Sequence, residues 1–300
     1  MWPFIELLGK DRVLMQVQRL PSNPIIVPDM DERMGRNING PSLIRVPEWA
    51  PHPLGRYYLY FAHHQGRYIR LAYADDVQGP WHVYSPGVLD VRDAFFTDHI
   101  ASPDVHVMDE RREIWMYYHG HNQSEPGQFT RLAISTDGLT FRARPEILGN
   151  SYWRVFKWQD WYYTLEMPGR LRRSRSGLTG FEEGPLLFTP NMRHVAVRRL
   201  GATLQVFYSN AFDCPEHILL STIDLTPDWR EWKNTAPISV LKPELDYEGA
   251  LLPVLPSKRG AIHEPARQLR DPCVFEEDGR TYLLYSVAGE SGIAMAELKG

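Results

Sequence analysis

Three carboxylates in this chain sit at the ends or within short apolar runs. Asp104 lies in Ser102-Pro103-Asp104-Val105, Glu166 ends Trp161-Tyr162-Tyr163-Thr164-Leu165-Glu166, and Asp271 follows Arg270 in Arg270-Asp271-Pro272-Cys273-Val274-Phe275. Such groups, brought together, can break an acetal: one carboxylic acid protonates the departing oxygen while a carboxylate activates water or attacks. Crowded carboxylates raise one another's pKa, which keeps one protonated near neutral pH. Glu166 is the candidate acid, since it ends an otherwise apolar strand, and Asp104 is the candidate base. Asp271, beside Arg270, is expected to stay ionised and stabilise developing positive charge. An inverting pair would stand ~6.5–9.5 Å apart. Each residue also has a plainer reading: Asp271 as a turn cap before proline, Asp104 as a structural strand residue, Glu166 as a surface partner of Arg170 or Arg172.

What must gather these groups is a repeat. Five segments share one grammar: a short apolar strand, a polar turn, a Tyr-rich strand, then a strand of small residues. The blades are expected at about 39–90, 100–148, 150–190, 192–233 and 268–300, with 234–267 as a long connection able to lie over one face. Asp278-Gly279 is a strong hairpin signal, and long helical periodicity is absent. The fold class is therefore all-β: a five-bladed β-propeller forming a single domain over 1–300. The fifth blade runs out after three strands, so Val13–Leu20 or Ile25–Val27 is expected to supply its outer strand and close the ring, removing two exposed edges.

Aligning the repeats places residues on the axis. Gly40, Ser102, Tyr152, Met192 and Asp271 align at one register. Ser42, Asp104, Arg154, His194 and Cys273 follow two residues on, facing the same way. The second strands end at Ala62, His119, Glu166, Ser209 and Ser286. One ring can thus hold the three carboxylates with His119, His194, Arg154 and Arg270. Asn39, His64, Asp98 and His99 fall near the same mouth and complete the candidate ligand-binding set. The histidines at 63, 64, 119 and 121 also read as ordinary loop residues. His119-Gly120-His121 offers too few ligands for a metal site. Glu248 and Glu264, in the long connection, are fallback acids if that segment folds over the mouth.

Bulk properties narrow the class. The sequence is 43% hydrophobic, enough for a packed core, and its net charge of −4 comes without a basic patch, which argues against nucleic acid as a partner. Two cysteines, Cys214 and Cys273, make no disulfide framework. The N-terminus does not read as a signal peptide, and no apolar run approaches the ~18 residues of a membrane span. The expectation is a cytoplasmic protein without a membrane partner; the oligomeric state is left open. Aromatic residues, 12% of the chain, either fill sheet cores or stack on sugar rings.

Ser102–Val105, Gly40–Val46 with Tyr57-Tyr58-Leu59-Tyr60-Phe61, Gly79-Pro80-Trp81 and Arg270–Ser286 resemble the blade-opening and blade-closing strands of the five-bladed glycoside hydrolases of families 43, 32 and 117. Asn23-Pro24-Ile25 is similar to the entry of family 130 mannoside phosphorylases. The resemblance covers nearly the whole chain. It implies a carbohydrate site on the central axis, a small saccharide as substrate, and three axial carboxylates as base or nucleophile, pKa modulator and acid. No cofactor is required, although an axial Ca2+ occurs in family 43. A histidine acid, as in family 117, is another implied option. Families 43 and 32 open the first blade with Asp-Pro or Asn-Asp-Pro. Here Gly40 and Ser102 stand at those places, and Asp271 alone keeps the pattern. Three functions follow: an exo-acting, inverting glycoside hydrolase; a phosphorylase needing Arg154, Arg170 and Arg270 for phosphate; or a non-catalytic sugar-binding propeller.

Overall fold

A computed structural model describes residues 4–6, 14–124 and 126–299; Val13, the start of one expected closing strand, lies outside them. The described chain forms five antiparallel sheets arranged as the blades of a propeller, with little helix beyond short 3-10 turns. The innermost strands are Asn39–Arg45, Ile100–Met108, Arg154–Trp158, Met192–Leu200 and Arg270–Glu277. Strand Leu14–Arg19 pairs with Ile293–Lys299, so the N-terminal segment closes the ring as the repeat required. Ile25–Val27 contributes one bridge, Ile26 to Ile293.

The second strands are apolar on both faces because each blade is packed between two others. Tyr57–Ala62 is buried at every position. Leu59 and Phe61 face Leu284 and Met295 of the fifth blade, while Tyr58 and Tyr60 face Ile114, Met116 and Tyr118 of the second. At about 1.5–3 kcal/mol per fully buried large side chain, these inter-blade layers carry the wheel. The tight hairpin at Asp278-Gly279 has φ of 50° and 75°, the two positive values that a two-residue turn of the primed type demands.

Two boundaries differ from the sequence expectation. Gly149–Asn150 pairs with the third strand of the second blade. Ile238–Leu241 pairs with Ile218–Asp224, so the fourth blade runs to Leu241 and the connection begins after it. A Pro-flanked strand of four residues carries too weak an alternation to be recognised by pattern alone.

Four of the five inner strands carry the same bulge. In four blades a residue pairs with the end of the second strand, one extra residue is inserted, and pairing resumes: Asn39 to Ser42, Ala101 to Asp104, Arg193 to Ala196, Arg270 to Cys273. The residue after the first of each pair has left-handed φ: Gly40 (60°), Ser102 (47°), His194 (49°), Asp271 (48°), with Tyr152 (61°) in the third blade. An inserted residue bends the strand and re-aims its side chain. These five therefore form the ring of the hub. At Gly40 a Cβ would stand 3.1 Å from Ser102 Cα, so the first and second blades touch there through backbone.

Candidate functional site

Asp271 and His194 meet in this ring. His194 Nδ1 lies 2.9 Å from Asp271 Oδ1, and Ser286 Oγ donates to Asp271 Oδ2 at 3.2 Å. His194 belongs to the upper ring and not, as the repeat alignment had it, one layer below. The slip is two residues: the equivalent of Asp271 in the fourth blade is His194, not Met192, because Arg193 and Arg270 occupy the same bulge position. Tyr152 follows in the ring, its ring centroid 4.8 Å from that of His194 and 4.2 Å from that of His119.

Two carboxylates that the sequence reading missed join this cluster. Glu290 and Glu216 are buried. Glu290 Oε1 accepts from Arg270 Nη1 at 3.0 Å and lies 3.2 Å from His64 Nδ1. Its Oε2 accepts from Asn37 Nδ2 at 2.6 Å and Asn39 Nδ2 at 3.2 Å. Glu216 accepts from Ser209 Oγ at 2.7 Å and stands 3.2 Å from Arg270 Nε and 3.8 Å from Arg193 Nε. Both follow a second strand, in loops that open on the mouth. Those loops, equivalent to the one holding His63 and His64, were the signal that could have found them.

The electrostatics are those of a dense buried network. Burial, the largest single influence, raises the Asp271 carboxyl, but His194, Arg193 and Arg270 together outweigh it, and the group ends well below the usual carboxylate range. Glu290 is held at about 2: burial pushes it up, the His64 bond pulls it down further, and neighbouring Asp271 works against ionisation. Burial drives His119 and His194 below the ordinary imidazole value. His99 falls to about 4 for the same reason, helped by His64 and His121 nearby.

A cavity of about 300 Å3 opens above the ring, lined among others by His64, Tyr152, Met167, Arg193, His194 and Arg259. The connection after Leu241 folds over it, as the sequence allowed. Arg193 Nη1 donates to Lys258 O at 3.1 Å, and Asn37 Nδ2 to Ile262 O at 2.9 Å.

The predicted residues divide accordingly. Asn39, His64, His119, His194, Arg270 and Asp271 are gathered at the mouth. Asp98 and His99 stand on its rim: Asp98 pairs with His121 Nδ1 at 2.6 Å, and His99 lies 6.1 Å from the His119 ring. Asp104 is one layer down, where its Oδ2 accepts from Val155 N at 2.7 Å and His106 Nε2 at 2.9 Å, tying the second blade to the third. Arg154 is with it, Nε 4.0 Å from Asp104 Oδ1.

Glu166 is not in the ring. Arg154 pairs with Leu165, and Met167 N donates to Ser151 O, so Met167 is the equivalent of His119, Ser209 and Ser286. One register step turns a strand side chain to the opposite face. Glu166 accordingly meets Arg172 Nε at 2.9 Å, Asn150 and Trp153. Of the fallback acids, Glu248 accepts two hydrogen bonds from Arg19 and one from Tyr285, and Glu264 is exposed. Arg170 pairs with Glu183 on the outer strand, so the expected phosphate trio does not assemble. Among the described residues, no three His, Cys, Asp or Glu groups converge as metal ligands. The hub carboxylates already face Arg193 and Arg270, a donor set that does not fit Ca2+.

No family model matches the chain. The uncharacterized protein R118 of Acanthamoeba polyphaga mimivirus is 36% identical over 323 residues, covering 94% of this chain and 90% of that protein. This chain belongs to the R118 family. Among solved structures, the R118-family wheel is similar to one from the GH130 family of mannoside phosphorylases, which contains glycoside hydrolases that target β-1,2 mannosidic linkages in Candida mannan. Its TM-score is 0.71 at 11% identity, over 98% of this chain and 96% of that one. A thermostable family-43 glycoside hydrolase matches at TM-score 0.62 and 15% identity, over 92% and 91%. The compost-metagenome β-xylosidase/α-arabinofuranosidase CoXyl43, in complex with xylotriose, matches at 0.59 and 14%, over 91% and 93%. At these identities the likeness speaks for the fold, the five-bladed propeller shared by GH43 and GH130 proteins.

Proposed function

We propose that the protein is a carbohydrate-active enzyme that cleaves a glycosidic bond at the axial mouth. One observation carries the reading: the hub bulges and the mouth loops bring Asp271, Glu290 and Glu216 together with Arg193, Arg270, His194 and Tyr152 beneath a cavity of about 300 Å3. The fold neighbours are carbohydrate-active propellers, which supports the same reading by analogy.

The roles differ from those expected of Asp104 and Glu166. Asp271, oriented by His194 Nδ1 at 2.9 Å and faced by Arg193 and Arg270, is the carboxylate that activates water or stabilises an oxocarbenium-like centre. His64 lines the cavity, its Nδ1 3.2 Å from Glu290 Oε1, so the carboxylate orients the ring and its other nitrogen is placed to act as the acid towards a departing oxygen. A second reading, a saccharide-binding propeller without turnover, is favoured by Gly40 and Ser102, which leave the first two blades without a hub carboxylate in the upper ring.

A panel of nitrophenyl glycosides, including furanosides, tests the choice. Turnover of at least one is expected, falling about 100-fold or more in Asp271→Asn and in His64→Gln while calorimetric binding of the matching sugar persists. Sugar binding with no turnover selects the binding module, and neither binding nor turnover ends the reading.

A further inference from the structure

The cavity wall differs in charge from what lies behind it. Arg193, Arg259, His64 and His194 line the cavity, and no carboxylate side chain does. The carboxylates sit one contact deeper, on the buried side of these groups: Glu216 and Glu290 share Arg270, Glu216 also faces Arg193 Nε, Glu290 meets His64, and Asp271 meets His194. Arg259 has no such partner among the described residues. Its Nη2 donates to a neutral acceptor, Pro190 O, at 2.6 Å, and its guanidinium lies 6.0 Å from the Phe212 ring.

Arg193 is engaged in the same incomplete way. Its Nη1 and Nη2 donate to Lys258 O at 3.1 Å and Gly260 O at 3.4 Å, and its Nε is 3.8 Å from Glu216. Hydrogen bonds from a guanidinium to an anion are about 2.7–2.9 Å, and the planar fork is made for two parallel contacts. Glu216 thus faces only the Nε side, while the two terminal nitrogens meet carbonyls and, at 3.3 Å from Nη2, the His194 ring, and no anion.

We propose that the axial mouth is an oxyanion site, in which Arg193 and Arg259 clamp a carboxylate or phosphate group, Lys258 O and Gly260 O giving way as acceptors on Arg193. This rests on the carbohydrate reading and narrows it to an acidic saccharide, or to a saccharide handled beside a free phosphate. The two sources present the same acceptor oxygens to the same fork.

Calorimetry on the full chain at low ionic strength separates them, with glucuronate, glucose 6-phosphate, inorganic phosphate and glucose as probes. At least one anion is expected to bind ten times more tightly than glucose or better, and to weaken as salt is raised while glucose binding does not. Arg259→Ala, an exposed position whose loss spares the core, is expected to weaken that anion at least tenfold. Arg259→Lys should restore part of the affinity, the charge remaining without the fork. A sugar-borne anion preferred over phosphate identifies an acidic saccharide; phosphate binding as tightly as glucose 6-phosphate identifies the free ion. Glucose matching every anion, or anion affinity unchanged in Arg259→Ala, overturns the site and leaves the carbohydrate reading standing. Arg259-dependent anion binding with no glycoside turned over keeps the site and removes the enzyme.

Discussion

Glu166 and Met167, adjacent in sequence, lie on opposite faces of the third sheet: Met167 lines the axial cavity, while Glu166 Oε2 sits 2.9 Å from Arg172 Nε beneath Asn150 and Trp153. The pair fixes which side of that blade belongs to the hub. It also makes the charge at position 166 part of the scaffold.

Glu166→Gln should therefore cost stability and spare function. The substitution removes a buried ion-pair partner and weakens three hydrogen bonds, which predicts a loss of about 1–3 kcal/mol. Denaturant melts of both proteins would measure it. Saccharide binding should be unchanged, and a loss of turnover without a loss of stability would return Glu166 to the site.

Asp104 has a similar role between two blades. Asp104→Ala leaves the buried Val155 N–H without its acceptor and removes the carboxylate that faces the Arg154 guanidinium. The expected penalty is about 2–4 kcal/mol. Asp104→Asn keeps an acceptor oxygen and should recover much of it.

Gly40→Ala tests the bulge. A Cβ there meets left-handed strain at φ 60° and comes within 3.1 Å of Ser102 Cα, a backbone atom that cannot swing away. A loss of about 1–3 kcal/mol is expected. An unchanged thermal midpoint would mean that the hub is looser than its backbone contacts indicate.

Acid sensitivity should begin early. His119 and His194 are fully buried and held neutral, so the unfolded chain binds more protons as pH falls below about 6.5, and stability drops from there. The depressed carboxylates act later. Asp271 and Glu290 favour the folded state above the ordinary carboxylate pKa near 4, and that contribution is lost as pH falls towards about 2 for Glu290. Thermal midpoints measured from pH 7 to pH 4.5 should already decline, and His119→Gln should flatten that upper part of the curve.

The wheel was legible in the chain because its evidence is local and repeated. Short aromatic strands, the Asp278-Gly279 turn and a fifth unit lacking its outer strand required five sheets and a closing segment from the N-terminus. Asn39, His64, His119, His194, Arg270 and Asp271 also reach the mouth they were assigned to. What the sequence did not reveal was side-chain direction at single-residue resolution. Strand side chains alternate with period two, so the one-residue error at Glu166 reversed its face. The bulges insert a residue that no periodicity announces, which hid His194 as the counterpart of Asp271. Glu216 and Glu290 reach the hub from loops, and only ring closure decides which loop carboxylates come within 3.2 Å of Arg270.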